Sequence, residues 1–136
     1  MKLGRAPRRL GRVALVGAVA LAAACGGTRS PDGAVRALAE AAESGDRDAV
    51  YDLLGPATRA RLAADAEHAA SAAGRRELGP KDLVAAGWST ARWRAVDFDV
   101  LARAGDHATV EVRGAGHERE TVSCVLVDGN WRVELP

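Results

Sequence analysis

The hydrophobic pattern of this 136-residue chain changes its period once, near Trp88, and this change limits the folds that the chain can adopt. Apolar residues recur at helical spacing before Trp88 and alternate with polar residues after it. Helices followed by strands predict an α+β domain, with N-terminal helices packed on a curved four-stranded antiparallel sheet. We expect this single domain to span residues 30–136.

Capping residues and helix breakers divide the first part of the domain. Ser30 is a suitable N-cap for a helix that begins at Pro31, and Asp46 caps a second, short helix. The third helix is rich in alanine, has Leu62 as its only large apolar residue and ends near Gly74, so it should pack loosely. The predicted segments are 31–43, 46–54, 56–73 and a short turn over 79–87.

Turn residues divide the alternating part into four strands, at 93–102, 107–113, 118–127 and 131–135. Asp128-Gly129 is a type I′ hairpin signal, and it predicts that Leu126 pairs with Trp131, Cys124 with Val133 and Val122 with Leu135. A three-residue loop over 104–106 predicts that Ala102 pairs with Ala108, Val100 with Val110 and Phe98 with Val112. The polar face of the last hairpin carries Ser123, Arg132 and Glu134 and should meet solvent or a partner.

The connection between the second and third strands conflicts with this pattern. Closing it as a three-residue loop over 114–116 puts Glu118 and Glu120 on the same face as the core valines of the second strand. A four-residue loop would instead turn the apolar residues of the third strand outward. Either a bulge or a frayed strand end resolves the conflict, or the two glutamates point into the concave side of the sheet.

The first 24 residues have the order of an export signal. Five basic residues and no acidic residue lie within 1–12, and an uncharged apolar run follows over 13–24. The run is shorter than the roughly 20 residues that a membrane-spanning helix needs, and it ends in small residues. We therefore expect residues 1–24 to be a cleaved signal peptide.

Cys25 follows the apolar run directly, and two cleavage products fit the sequence. The segment 21–27 resembles the lipobox of bacterial lipoproteins, in which the cysteine is acylated, although Ala22 stands where that family prefers leucine. Ala22 and Ala24 also fit ordinary signal peptidase, which would release a soluble periplasmic or secreted protein. We favour a lipoprotein held in the cell membrane or outer membrane by lipid, such as palmitate, on Cys25, with 25–29 as a short linker.

Cleavage also changes the charge of the protein. The chain has 19 basic and 18 acidic residues, and five basic residues lie in the signal, which leaves a mildly acidic domain with 14 against 18. Such a domain lacks the positive surface that nucleic acid requires, so we expect no nucleic-acid partner. If Cys25 is acylated, we expect Cys124 to be a buried free thiol. The two cysteines could form a disulfide only if Cys25 is unmodified.

Two stretches of the mature chain resemble a known superfamily. The helix, Gly-Asp, helix opening over 34–54 and the closing GNWRVEL over 129–135 look like the nuclear-transport-factor-two-like, or cystatin-like α+β cone, superfamily. More narrowly, they resemble small bacterial envelope lipoproteins of unknown function with that fold, over about residues 30–136. The resemblance implies a cone whose last tryptophan packs under the first helices. It hardly constrains function, because the superfamily holds isomerases, dehydratases, binding subunits and inert scaffolds.

Catalytic and metal-binding patterns do not stand out in the mature chain. Enzymes resembling this fold keep an acid or a His-Asp pair inside the cone, but alternation puts Asp97 and Asp99 on the solvent face. His68, His107 and His117 are scattered without metal-ligand spacing, so we expect neither a metal nor a cofactor.

The remaining candidate site residues lie near the conflict in the sheet. A carboxylate enclosed by apolar groups is more basic, so Glu118 or Glu120 could act as a general base, with Trp88 and Trp93 as pocket walls. The first hypothesis is a non-enzymatic binding or scaffold domain for an envelope protein or a small apolar ligand. The alternatives are an isomerase-like or dehydratase-like enzyme and a homodimer formed through the sheet. We favour the first because the catalytic set is missing.

Overall fold

A computed structural model describes residues 28–74, 77–88 and 94–136 of the chain. The predicted signal peptide, Cys25 and Trp93 lie outside these residues. The elements are, in order, α1 (Pro31–Glu43), α2 (Arg47–Leu53), α3 (Pro56–Ala73), α4 (Pro80–Trp88), β1 (Ala95–Ala104), β2 (His107–Gly114), β3 (Arg119–Val127) and β4 (Asn130–Glu134). The strands form one antiparallel sheet in the order β1-β2-β3-β4, which confirms the α+β prediction.

The helix ends lie where the capping residues predict them. The Ser30 hydroxyl accepts a hydrogen bond from the Gly33 amide at 3.2 Å, and the Asp46 carboxylate accepts one from Ala49 at 3.0 Å. These side chains satisfy amide groups that have no partner within the helix. Gly74 ends α3 with φ at 64°, a left-handed conformation that glycine adopts without steric cost.

The core lies between α1, α2 and the helix-facing side of the sheet. Its largest fully buried side chain is Trp131 on β4, which confirms that the last strand places a tryptophan beneath the helices. The other buried members are Ala34, Val35, Leu38, Val50, Leu54, Val84, Phe98, Ala108, Val110, Val112, Cys124 and Val133. By contrast, α3 buries only Thr58 and Ala66, so it packs loosely, as its alanine-rich sequence predicts.

The β3–β4 hairpin has the predicted register. Leu126 pairs with Trp131 and Cys124 with Val133. Both central turn residues have positive φ, at 51° for Asp128 and 79° for Gly129, as a type I′ turn requires.

The β1–β2 hairpin departs from the prediction at its turn. Two residues, Gly105 and Asp106, connect the strands, so Ala104 pairs with His107, and Ala102 pairs with Thr109 instead of Ala108. The pairs Phe98 with Val112 and Val100 with Val110 are as predicted. A register shift between Val100 and Ala102 joins these two halves of the ladder, because one extra residue of β1 must be accommodated there.

The β2–β3 connection contains no bulge. The prediction that a bulge resolves the conflict in the sheet is therefore wrong. Gly114 bonds to Glu118 across the turn, and the ladder runs without a shift from Arg113–Arg119 to His107–Val125. Glu120 is therefore opposite Val112 and on its side of the sheet, as the parity argument requires. Glu120 is nevertheless exposed.

Candidate functional site

A groove with a volume of about 420 Å³ lies between α1 and β1, next to the β2–β3 turn. We call it the α1–β1 groove. Its apolar lining comes from Ala39, Ala95, Val96, Phe98 and Ala115, and its charged lining from Arg36, Glu40, Glu43 and Arg94. This volume falls within the range of about 300–1,000 Å³ that small-molecule sites occupy.

The charged side chains line an apolar floor. The guanidinium carbon of Arg36 lies 4.8 Å from the centre of the Phe98 ring, within the distance for a cation–π contact. Arg94 Nε lies 3.2 Å from Glu43 Oε1, with both side chains more than half exposed. Arg36 makes no ion pair within the described part of the chain, so its charge is available to an anion.

The strand β1 exposes apolar side chains where its ladder is irregular. Val96 lies at the register shift between Ala95 and Asp97, and Leu101 at the shift between Val100 and Ala102. Their exposed fractions are 52% and 56%. Val96 departs from the alternation that buries Phe98, whereas Leu101 has the same parity as the exposed Asp97 and Asp99. Val96 consequently opens into the groove, whereas Leu101 lies further along the strand.

A larger cavity, of about 640 Å³, separates α3 from the start of α4. Its lining is mainly alanine, with Leu78 and Pro80 opposite and Glu67 and Ser71 as the polar groups. Because α3 buries so little apolar surface, we attribute this space to loose helix packing and take the α1–β1 groove as the candidate site.

Neither predicted catalytic glutamate is enclosed. The Glu118 carboxylate, which is half-buried, accepts a hydrogen bond from the Gly116 amide at 2.9 Å and so stabilises its own turn. Glu120 is exposed. The hypothesis of an internal general base required a carboxylate inside a closed apolar pocket, and the structure places neither side chain in such surroundings.

The aspartates of β1 face solvent, as predicted. Arg113 on β2 bonds to Asp97 at 2.5 Å and also to Asp99, and both carboxylates are about half exposed. The hydrogen bond to Asp97 and the charges of both aspartates raise the pKa of Arg113. This cluster is a cross-strand charge network on the outer face of the sheet.

The histidines are separate and exposed. His68 lies on α3, His107 begins β2 with its ring 3.5 Å from the Asp106 carboxylate, and His117 lies in the β2–β3 turn with φ at 70°. No group of three or more His, Cys, Asp or Glu residues suited to a metal ion occurs within 28–74, 77–88 and 94–136. Of the predicted pocket walls, Trp88 ends α4 and Trp93 lies outside the described residues.

Cys124 is a free, buried thiol, as predicted for an unpaired cysteine on the apolar face of β3. Its sulfur lies 3.8 Å from the Pro31 carbonyl oxygen at the start of α1. Burial, together with the charge of Asp32, raises the pKa of Cys124 to about 11. The thiol therefore stays protonated at neutral pH and acts as a small apolar core group.

Sequence reasoning missed a network that joins β4 to the start of α3. The Glu134 carboxylate accepts hydrogen bonds from the Ala57 amide at 3.1 Å, the Thr58 amide at 2.8 Å and the Thr58 hydroxyl at 2.6 Å. Glu134 was predicted to meet solvent or a partner, and instead it caps a helix of its own chain. The only local signal is that α3 begins at Gly55-Pro56 without a capping side chain.

The first described residue, Thr28, lies in the segment 25–29, which was predicted to be a short linker. The Thr28 carbonyl accepts a hydrogen bond from the Trp131 amide at 2.7 Å, and its hydroxyl donates to Asn130 at 2.9 Å. Thr28 is therefore part of the folded domain, attached to the start of β4.

No protein-family model, curated protein or solved structure matches this chain. Within the described residues, none of the helices is both long and apolar enough to cross a bilayer. The candidate site must therefore be interpreted from its own geometry.

Proposed function

We propose that this protein is a lipid-anchored binding domain of the bacterial cell envelope, attached through acylated Cys25 and binding its partner in the α1–β1 groove. The domain resembles a cone of the nuclear-transport-factor-two-like superfamily, with residues 1–24 acting as a cleaved signal peptide. An isomerase-like or dehydratase-like enzyme is the less favoured alternative, because no described carboxylate is enclosed.

The observation that carries the binding proposal is the composition of the groove. An apolar floor that includes the ring of Phe98 and the exposed side chain of Val96 lies beside an arginine without an ion-pair partner in the described residues. Apolar surface with a few fixed polar groups is typical of ligand sites. Arg36 and Glu40 both lack an ion-pair partner in the described residues, so the lining suits an apolar group with a polar end that can bond to the arginine, the glutamate or both.

The position of the core supports the anchor proposal. The described core is built from residues between Ala34 and Val133, so cleavage before Cys25 would remove none of it. Cys25 itself precedes Thr28, the first described residue, by three residues.

Replacing Cys25 by serine tests the anchor. We expect the wild-type protein to remain in the membrane fraction and to show a diacylglycerol-modified N-terminal cysteine by mass spectrometry. We expect Cys25→Ser to lose this modification and to leave the membrane fraction, since one or more acyl chains supply the affinity for the bilayer. Cys124→Ser is the matched control and should remain in the membrane fraction. An unmodified Cys25 in the wild-type protein would contradict the anchor.

The groove can be tested with anilinonaphthalene sulfonate, a fluorescent apolar anion. We expect saturable binding with increased fluorescence in the wild-type protein, and a several-fold weaker affinity in Val96→Asp, because an acidic group would repel the sulfonate and add water to the apolar floor. Leu101→Asp is the matched control, because Leu101 is equally exposed on the same strand but outside the groove. Equal loss of binding in both variants would mean that the dye does not report on the groove.

A further inference from the structure

The attachment of Thr28 to β4 fixes where the chain enters the domain. Thr28 bonds to Asn130 and Trp131, Ser30 caps α1, and Pro31 is buried. Only Gly26 and Gly27 separate Thr28 from Cys25. Three consecutive Cα–Cα steps of 3.8 Å span at most about 11 Å, so the entry point cannot lie far from an acyl group on Cys25.

A continuous row of neighbouring residues extends from this entry point across one end of the sheet. Trp131, which bonds to Thr28, pairs with Leu126, and the Leu126 amide donates to the Asp106 carbonyl at 2.7 Å. Neighbouring strands lie about 4.8 Å apart, so Asp106 lies roughly 15 Å from Thr28. We call this end, which contains the 105–106 and 128–129 turns, the tethered end.

The α1–β1 groove lies at the opposite end of the sheet. It includes Ala95 at the start of β1 and Ala115 in the β2–β3 turn. The eight residues of β2 lie between Asp106 and Ala115, and nine steps of about 3.3 Å span on the order of 30 Å. The far edge of the groove, at Ala115, is therefore remote from the tethered end, whereas its near edge, at Arg36, lies only six residues along the chain from Ser30.

We propose that the tethered end of the domain faces the anchoring bilayer and that the α1–β1 groove faces the aqueous compartment. This inference rests on the proposed acylation of Cys25. It also limits the partner, because an occupant of the groove must arrive from the aqueous side, as a soluble molecule or an exposed segment of a protein.

The shortness of the tether, and not charge attraction, sets this orientation. The tethered end carries the basic residues Arg29 and Arg103 beside the acidic residues Asp106 and Asp128. Mixed charges give little net attraction to anionic headgroups. Lengthening the tether should therefore abolish the preferred orientation without changing the fold.

Site-specific quenching tests the orientation on the full acylated protein. A thiol-reactive fluorophore is placed at Asp106→Cys or Ala115→Cys, both at exposed turn positions, and the protein is reconstituted in phosphatidylcholine vesicles that contain a lipid with a nitroxide headgroup. The wild-type protein is the labelling blank, since Cys124 is buried. We expect several-fold stronger quenching at position 106 than at position 115.

A second variant tests whether the short tether causes the orientation. Inserting about 25 glycine and serine residues between Gly27 and Thr28 gives a flexible tether with a reach of roughly 25–30 Å, and quenching at the two positions should then become similar. Equal quenching with the natural tether, or stronger quenching at position 115, would overturn the orientation while leaving the anchor intact. A protein that lacks the acyl group by mass spectrometry and does not float with the vesicles would overturn both.

Discussion

Replacing Gly55 by alanine should destabilise the domain by about 2–3 kcal/mol, a large effect for the addition of one methyl group. A Cβ at this position would lie 2.2 Å from Glu134 Oε1 and 2.3 Å from its Cδ. The carboxylate would have to move, and it would then leave the amides of Ala57 and Thr58 without their acceptor. Urea unfolding of the purified protein, followed by tryptophan fluorescence, measures the change.

A double-mutant cycle identifies the cause. Backbone strain is not responsible, because Gly55 has φ at −75°, which alanine adopts freely. Glu134→Ala alone should cost about as much as Gly55→Ala, since it removes the same cap. Gly55→Ala in the Glu134→Ala background should then cost less than about 1 kcal/mol, because the clash is gone. Additive effects would show that the carboxylate is not the group that Gly55 accommodates.

Replacing Trp131 by alanine should have the largest effect of any single substitution considered, about 3–5 kcal/mol. The side chain is 1% exposed and is the largest of the fully buried residues. Its removal would leave a cavity between the sheet and α1, and would also remove the surface over which Arg103 lies, 4.9 Å from the ring centre. Since a domain of this kind is stable by only about 5–15 kcal/mol, partial unfolding at ambient temperature is expected, and circular dichroism during urea unfolding would detect it.

Leu101→Ala serves as the control for Trp131→Ala. Leu101 is a large apolar residue on the same sheet, but it is 56% exposed at the irregular position of β1. Its truncation should change the free energy of unfolding by no more than about 0.5 kcal/mol. Trp131→Phe should fall between the two, because most of the buried volume is kept. A cost below about 1 kcal/mol for Trp131→Ala would contradict the described core.

The features that the sequence predicted well are those with local signals. Ser30, Asp46 and Gly74 marked helix ends because capping acts within three or four residues of the chain. Asp128-Gly129 fixed the last hairpin because both residues tolerate positive φ. The alternation of β1 likewise predicted the exposed face for Asp97 and Asp99.

The features that could not be predicted depend on distant residues or on one-residue differences in loop length. Nothing near Glu134 indicates that it caps α3, whose Ala57 amide lies 77 residues earlier in the chain. A bulge near the β2–β3 turn was one expected way of resolving the conflict in the sheet, but the two register shifts lie in β1. The shift between Val100 and Ala102 accompanies a two-residue loop over Gly105 and Asp106 in place of the expected three. The α1–β1 groove was not predicted either. Val96 is exposed at the register shift between Ala95 and Asp97, whereas alternation would place its side chain on the same face as the buried Phe98.

The contacts of β4 also determine the order in which the domain can be completed when the chain becomes available from its N-terminus. This last strand places Trp131 in the core, and the Trp131 amide is the hydrogen-bond partner of Thr28. Its Glu134 caps α3, and its Val133 pairs with Leu54 in a parallel bridge. Thr28, Leu54 and the start of α3 thus obtain these partners only after residues 130–134 are available. A chain that crosses a membrane from its N-terminus would therefore emerge unfinished, and it would remain open to proteases and chaperones until its final strand has passed.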